Sequence, residues 1–294
     1  MKPIVILTDS AADIDVSLRQ SLGIEMVPLK VLFGEESYLD GVTIQAQAFY
    51  QRLKQSTVLP TTSQPSPVEF AETYQKIVAK YGADVQIIGI FLSAALSGTY
   101  QSAVIGKSML DDPVDITLID SKKASFVHGF VAVEAARAVR QGKQKQQVLD
   151  LIERLLHDIQ VYFLVDTLEY LQKGGRIGKA SALLGSLLNI KPILTLDPSG
   201  VVAPFERVRG SKKAVARIIE QLKLYAQDEP VKTAVVHADA QAAAEALLEQ
   251  ICGEVQVTES FLAEIGPVIG THAGPGTIGC LIVKDRESKQ TEKS

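Results

Sequence analysis

Cysteine is scarce in this sequence, which has only Cys252 and Cys280 among its 294 residues. Two cysteines cannot make a disulfide framework, and neither lies near a second thiol or at a histidine spacing typical of metal sites. We interpret both as small apolar side chains of the interior. These absences argue against a disulfide-stapled domain and against a structural metal centre, and we expect no metal.

An excess of basic residues is also lacking. The 30 Lys and Arg residues are outnumbered by 34 Asp and Glu residues, for a formal net charge of -4. Such a balance argues against nucleic acid as a partner. No apolar run approaches the roughly 20 residues that span a bilayer, and Asp9 ends the N-terminal apolar run too early for a signal peptide. We therefore expect a cytoplasmic protein without a transmembrane segment.

Common nucleotide-binding and hydrolase motifs are absent as well. Gly106–Ser108 has the Gly-Lys-Ser ending of a P-loop, but Gln101 occupies the position of its first glycine and the segment is predicted to be helical. No G-x-G-x-x-G follows the first strand, and neither Ser93 nor Ser97 lies in a G-x-S-x-G nucleophile elbow. Nucleotide binding, serine hydrolysis and metal catalysis therefore have little support.

Apolar segments of strand length alternate with helical segments from Ile4–Leu7 onward through the first half of the chain. This alternation predicts a parallel sheet with flanking helices and right-handed crossovers. In the second half, the turn Asp197–Gly200 separates two strands and predicts a hairpin within a mixed sheet. We predict two α/β domains, residues 1–160 and residues 161–285. A disordered charged tail is predicted over residues 286–294.

A polar turn follows the predicted buried strand Val85–Leu92. The strand ends at Ser93, and Ser97 is predicted to cap a helix that Gly98 and Thr99 open. Free backbone N–H groups and the positive end of the helix dipole suit an anion, either a carboxylate or a phosphate. An ordinary strand–turn–helix joint with a purely structural role is the alternative.

Two glycine-rich segments carry further candidates. Gly266–Gly279 is predicted to be a loop whose five glycines allow close approach to a ligand, and its His272 is suited to bind an anion or move a proton. The loop Lys173–Lys179 carries Arg176, whose guanidinium suits a phosphate or a carboxylate. A satisfied loop histidine and a solvated basic loop are the structural alternatives. We assign structural roles to the other histidines, which are His128, His157 and His237.

Three other segments complete the prediction. Thr57–Pro67, with three prolines and five hydroxyl residues, is predicted to be a rigid polar loop before a helix over Val68–Tyr81. An apolar helix is predicted over Ser181–Leu188. A basic cluster consists of Arg207, Arg209, Lys212 and Lys213.

Seven stretches of the sequence together resemble the DegV family of bacterial fatty-acid-binding proteins. They are TDSAAD (Thr8–Asp13), TSQPS (Thr62–Ser66), SGTYQSA (Ser97–Ala103), LQKGGRI (Leu171–Ile177), LLNIKPIL (Leu187–Leu194), RVRGSKKA (Arg207–Ala214) and GPVIGTHAGPG (Gly266–Gly276). They span the chain in the family's order. The resemblance implies two α/β domains with one long-chain fatty acid buried between them.

The family's carboxylate site is implied to fall on hydroxyl side chains of this sequence. In the family, hydroxyl groups of the TSQPS loop and of the serine turn after the buried strand bind the acyl carboxylate. Here the resemblance implies Thr62 and Ser93, with Thr61 as the second choice after Thr62. Many relatives carry two consecutive serines at the strand end, whereas Ala94 follows here. Ser93 and the backbone N–H groups of residues 97–99 would therefore hold more of the head group.

The resemblance also implies a partner. In the family, the protein presents its fatty acid to a separate ATP-dependent fatty acid kinase, which forms an acyl phosphate. The family's arginine and histidine fall on Arg176 and His272, which would bind the phosphate or assist the kinase. The protein itself would be no enzyme and would need no cofactor. The alternatives are a hydrolase or phosphotransferase using Ser93 and His272, and a regulatory interaction module using the basic cluster.

Overall fold

The structure is a computed structural model that describes residues 2–185 and 190–286. The end of the predicted helix Ser181–Leu188 and all but the first residue of the predicted tail lie outside the described residues. The chain divides into two compact units. Unit 1 comprises Met1–His157, Pro198–Gly200 and Gly266–Thr271, and unit 2 comprises Asp158–Asp197, Val201–Ile265 and His272–Ser294.

Strands and helices alternate along the described chain. The strands are β1 (Ile4–Asp9), β2 (Glu25–Val27), β3 (Lys30–Phe33), β4 (Glu36–Leu39), β5 (Thr61–Ser63), β6 (Gln86–Phe91), β7 (Asp115–Asp120), β8 (Gln160–Leu164), β9 (Ile190–Leu196), β10 (Val202–Arg209), β11 (Val231–His237), β12 (Val257–Glu264) and β13 (Ile278–Lys284). The helices are α1 (Val16–Leu22), α2 (Ala46–Gln55), α3 (Pro67–Tyr81), α4 (Thr99–Ser108), α5 (Phe126–Arg140), α6 (Lys145–Asp158), α7 (Glu169–Lys173), α8 (Ser211–Ala226), α9 (Gln241–Glu254) and α10 (Pro267–Ala273). Short 3₁₀ helices cover Ser10–Ala12 and Gly178–Leu183.

The predicted parallel sheet is confirmed in unit 1, where the strand order is β2-β1-β6-β7. Its strands are apolar because helices cover them; α3 and α4 contribute to one core, where Phe70 packs edge-on against Phe91 with ring centroids 5.3 Å apart. Burying each such ring stabilises the fold by about 2–3 kcal/mol. The helix α3 matches its prediction, with Pro67 in its first turn and a capping box between Ser66 and Glu69.

A second, antiparallel sheet in unit 1, with the order β4-β3-β5, was not predicted. Within the segment predicted to be a loop, Thr61–Ser63 pairs with β3, and Thr62 lies opposite Val31. The prediction was wrong for these residues because Pro60 and Pro65 suggest a loop, whereas the stretch between them is just long enough for an edge strand.

Unit 2 contains a six-stranded mixed sheet with the order β10-β9-β8-β13-β11-β12. The predicted hairpin is confirmed, since β9 and β10 pair in antiparallel fashion, whereas β11 and β12 run parallel. The helices α8 and α9 bury their apolar faces in the core of this unit, where Ile218, Leu222, Leu247 and Ile251 meet Ile282 of β13. The sheet is therefore covered by the two long helices of the unit.

Two other predictions need correction. Gly266–Gly279 is not a continuous loop: Pro267–Ala273 forms the helix α10, which starts at a proline, a residue favoured in the first turn. The helix predicted from Ser181 is replaced by the 3₁₀ helix Gly178–Leu183. Glycine-rich and apolar composition misled both predictions. Among the described residues, no helix is long and apolar enough to cross a membrane.

Candidate functional site

The serine turn, residues 93–99, connects β6 to α4 in unit 1. Ser93 is fully buried, and its Oγ donates a hydrogen bond to the Gly200 carbonyl (2.9 Å) and accepts one from the Ala95 N–H (3.2 Å). Gly200 has a left-handed φ of +81°, and a Cβ there would lie 2.1 Å from the Ser93 Oγ. Only glycine therefore fits against this hydroxyl.

The backbone of the serine turn is tied more firmly than the sequence indicated. The Ser93 N–H donates to the Lys123 carbonyl at 2.8 Å, and the Ala94 N–H donates to the Asp120 carboxylate at 3.0 Å. The N–H groups of Leu96 and Ser97 donate to the Ser93 carbonyl. The expectation of free N–H groups is therefore wrong for these four residues.

The start of α4 also differs from its prediction. Gly98, rather than Ser97, is the N-cap residue. The Ser97 Oγ still accepts a hydrogen bond from the Thr99 N–H (3.3 Å) and lies 2.9 Å from the Thr99 Oγ1. Ser97 therefore satisfies the first N–H of the helix, as a capping residue would, although it lies one residue before the N-cap.

The TSQPS loop lies beside the serine turn. A Cβ on Gly98 would lie only 2.4 Å from the Gln64 Nε2, so the amide of Gln64 rests on the backbone of this glycine. Thr62 is half-buried in β5, and its neighbour Thr61 is exposed. Successive strand residues point to opposite faces, so the two threonines present their hydroxyls on different sides of the sheet. Unit 1 thus brings together the hydroxyl segments that the sequence singled out.

Arg176 and His272 meet around Gly174 in unit 2. The Arg176 Nη1 donates a hydrogen bond to the Gly174 carbonyl at 2.8 Å. A Cβ on Gly174 would lie 2.2 Å from the His272 Nδ1, so the imidazole packs directly on this glycine. Burial, and then the charge of Arg176, lower the pKa of His272 to about 4. The imidazole is therefore neutral near pH 7, and it sits on α10 rather than in a loop.

A buried polar pair beneath the serine turn was missed by the sequence analysis. Asp9 and His128 are both fully buried, and the His128 Nε2 lies 3.3 Å from the Asp9 Oδ1. The Asp9 Oδ2 accepts a hydrogen bond from the Leu92 N–H at 2.9 Å. The polar end of the first strand was a signal for Asp9, but no local pattern pointed to His128, which is 119 residues away.

Two further carboxyl groups hold the start of α10. Asp13 accepts a hydrogen bond from the Gly266 N–H at 2.9 Å, and Asp40 accepts hydrogen bonds from the Ser10 Oγ (2.7 Å) and the Val268 N–H. Burial raises the pKa of Asp40 to about 7. Burial, and then the charge of Asp40, raise the pKa of Asp13 well above its ordinary value. Near pH 7 the Asp40 carboxyl therefore lies close to the point where it exchanges its proton.

No metal centre is evident in residues 2–185 and 190–286, where no three His, Cys, Asp or Glu side chains are grouped to bind an ion. The basic cluster lies at the end of β10 and the start of α8, and its four side chains belong to exposed residues. The charge of this surface is therefore available to an acidic partner.

Comparison with known proteins gives a consistent result over nearly the whole chain. The model of the DegV family, described as an uncharacterised protein family, matches residues 3–285. Protein DegV of Bacillus subtilis is 37% identical over 278 residues, which cover 94% of this chain and 97% of that protein.

Two solved structures are similar to this one. A DegV family protein from Thermus thermophilus, described by its fatty acid binding, has a TM-score of 0.89 and 35% identity, with 96% of this chain and 100% of that chain covered. DegV of B. subtilis, described as a fatty acid binding protein, has a TM-score of 0.86 and 36% identity, with 97% and 100% covered. The match to the family model and the identity to these relatives show that the chain belongs to the DegV family.

Proposed function

We propose that this protein binds one long-chain fatty acid and that the serine turn and the TSQPS loop hold its carboxylate. The observation that carries the proposal is the similarity to B. subtilis DegV, a fatty acid binding protein that is 36% identical over 97% of this chain. The packing of Gln64 on Gly98 supports this proposal, because it shows that the TSQPS loop and the serine turn are in contact within unit 1.

Hydroxyl donors are what a buried carboxylate needs. Moving a carboxylate out of water costs several kcal/mol unless hydrogen-bond donors replace the water. The proposed donors are the hydroxyls of Ser93 and Thr62, with Thr61 as the neighbouring candidate. Ser93 has one hydroxyl proton, which points at the Gly200 carbonyl. A carboxylate would draw that proton away, because a charge-assisted hydrogen bond is about twice as strong as a neutral one.

The partner of the Ser93 hydroxyl favours a binding protein over a hydrolase. A nucleophilic serine needs a base that accepts its proton. The acceptor of the Ser93 hydroxyl is the carbonyl of Gly200, and a peptide carbonyl does not act as a base near neutral pH. We therefore propose that Ser93 binds and that the chemistry belongs to another protein.

That other protein is, in our proposal, an ATP-dependent fatty acid kinase, to which this chain presents the carboxylate for acyl-phosphate formation. Arg176 supplies a permanent positive charge for the added phosphate. His272, neutral because of its lowered pKa, supplies a hydrogen bond without a second charge. The exposed basic cluster provides a docking surface for an acidic face of the kinase.

Lipid titration tests the binding proposal. We expect delipidated protein to take up one palmitate or oleate per chain, as counted by native mass spectrometry. Ser93→Ala and Thr62→Ala should each weaken binding roughly tenfold or more, which corresponds to the loss of one hydrogen bond to a charged group. Ser108→Ala, which removes an exposed hydroxyl at the end of α4, should bind normally. Failure of the wild-type protein to bind either lipid would refute the proposal.

A further inference from the structure

The TDSAAD motif, Thr8–Asp13, is a sequence motif that has no role in the proposed site. Its first two residues are fully buried at the end of β1. There the Thr8 hydroxyl donates to the Ile90 carbonyl at 2.8 Å, and the Asp9 carboxylate accepts from the Leu92 N–H at 2.9 Å. Both side chains therefore hydrogen-bond to the backbone at the end of β6, where the serine turn begins.

Asp9 extends the pairing of two neighbouring strands beyond their backbone ladder. The parallel ladder between β1 and β6 ends at the pair Thr8 and Ile90, and β1 then turns into the 3₁₀ helix Ser10–Ala12. The carboxylate of Asp9 provides the acceptor for the Leu92 N–H, and this peptide lies immediately before Ser93.

The carboxylate of Asp9 is itself held from behind by α5. Its second oxygen lies 3.3 Å from the His128 Nε2, and both side chains are fully buried. The adjacent Gly129 allows α5 to approach closely, since a Cβ there would lie 2.1 Å from the Ala12 carbonyl oxygen. The imidazole is therefore fixed against the motif by the packing of the helix backbone.

The opposite side of Ser93 is fastened independently. The Ala94 N–H donates to Asp120, which also accepts from the Lys122 N–H, both at 3.0 Å. Carboxylates thus bind the peptide N–H groups immediately before and after that of Ser93. Small changes at Asp9 are expected to reorient the Leu92 peptide and to shift the hydroxyl by a fraction of an ångström, which matters for a directional hydrogen bond.

We infer that Asp9, held by His128, is a positioning residue that orients Ser93 for the lipid carboxylate. This inference rests on the proposed fatty acid binding. Neither residue contacts the ligand in this scheme, since Asp9 is buried with an oxygen on Leu92 and an oxygen facing His128. On this inference, the effect of Asp9 on lipid affinity is confined to the interactions that Ser93 makes.

The test compares a ligand that has the carboxylate with one that lacks it. Affinities for palmitate and for 1-hexadecanol are measured for wild-type, Asp9→Ala and Asp9→Asn proteins. Asp9→Ala should weaken palmitate binding roughly tenfold and hexadecanol binding by less than about threefold. Asp9→Asn should recover most of the palmitate affinity, because its amide oxygen can accept from the Leu92 N–H and its NH₂ group can donate to His128.

Control variants separate positioning from general loss of stability. Glu134→Gln alters another buried carboxylate of unit 1, which pairs with Arg137 on α5, and should leave the ratio of the two affinities unchanged. In a Ser93→Ala background, Asp9→Ala should no longer change palmitate affinity. If Asp9→Ala does not fold, His128→Leu serves instead, with a selective palmitate loss of about threefold.

The outcomes distinguish this inference from the proposed function. If wild-type protein binds neither lipid, the proposed function fails. Two results would overturn the positioning role while leaving palmitate binding intact in the wild type. In the first, Asp9→Ala (or its substitute His128→Leu) weakens the binding of palmitate and of hexadecanol equally. In the second, it lowers palmitate affinity by the same factor with and without the Ser93 hydroxyl, and the motif is then structural only.

Discussion

Gly200 offers the most direct test of the serine turn. Its φ of +81° disfavours any side chain, and an added Cβ would lie 2.1 Å from the Ser93 Oγ and 3.0 Å from the Lys122 Cα. The left-handed backbone costs alanine about 1–2 kcal/mol. The overlap adds about 1–3 kcal/mol, as in an overpacked core. We therefore expect Gly200→Ala to lower the free energy of unfolding by about 2–5 kcal/mol.

A matched control isolates the backbone contribution. Gly142 has the same φ of +81°, but no described residue lies within 4 Å of the Cβ that alanine would add. Gly142→Ala should therefore cost only about 1–2 kcal/mol. Urea unfolding of both variants, followed by far-UV circular dichroism, gives the difference in free energy of unfolding.

A double-mutant cycle then asks whether the overlap involves the Ser93 hydroxyl. In a Ser93→Ala background the Oγ is gone, so Gly200→Ala should cost less than it does in the wild type, by about 1–2 kcal/mol. Equal costs in the two backgrounds would refute the contact. The added Cβ would also push the Ser93 hydroxyl out of place, so Gly200→Ala should bind palmitate more weakly, while Gly142→Ala binds it normally.

Two other predictions concern Gly174 and Asp40. Gly174→Ala would place its Cβ 2.2 Å from the His272 Nδ1 and displace the imidazole. We therefore expect acyl-phosphate formation by an added fatty acid kinase to fall at least tenfold in this variant and in Arg176→Ala, while both variants still bind lipid. Unchanged rates in both variants would contradict the proposed phosphate site. The pKa of Asp40 is about 7 in the folded protein against an ordinary 3.8. As the pH rises from about 4 to about 7, the carboxyl ionises in the unfolded chain but stays protonated in the folded protein. The free energy of unfolding therefore falls over this range by up to roughly 4 kcal/mol. This carboxyl faces the Ser10 hydroxyl, the Val268 N–H and the carboxyls of Asp9 and Asp13. Asp40→Asn should therefore lose less stability between pH 5 and pH 8 than the wild type in urea unfolding, and parallel curves would contradict the assignment.

Long periodic segments could be predicted from the sequence because their patterns are local. The strand β6 and the helix α3 are long enough for hydrophobic runs and helix ends to define them. The strand β5 and the helix α10 could not be predicted, since each is short and is stabilised by distant partners. Thr62 pairs with Val31, and the start of α10 is held by Asp13, more than 250 residues away in sequence.

The candidate site divides in the same way. Ser93 and His272 were found because unusual local composition marks them, whereas the partner that fixes each one lies far away in the chain. Gly200, which receives the Ser93 hydrogen bond, looked like an ordinary turn residue. His128 looked like a core residue, and only its place opposite Asp9 gives it a second role. Such pairings depend on tertiary structure, which one sequence does not reveal.

The short strand β5 has a property that bears on the evolution of the site. Within the described residues, β5 is an edge strand that pairs with β3 alone, so few hydrogen bonds hold its register, and a slip of one residue exchanges the faces of its side chains. The strand consists of Thr61, Thr62 and Ser63. A slip in either direction would replace the hydroxyl of Thr62 with another hydroxyl. An insertion or deletion next to this strand would therefore conserve a hydrogen-bond donor at the same place, although the residue that supplies it would change.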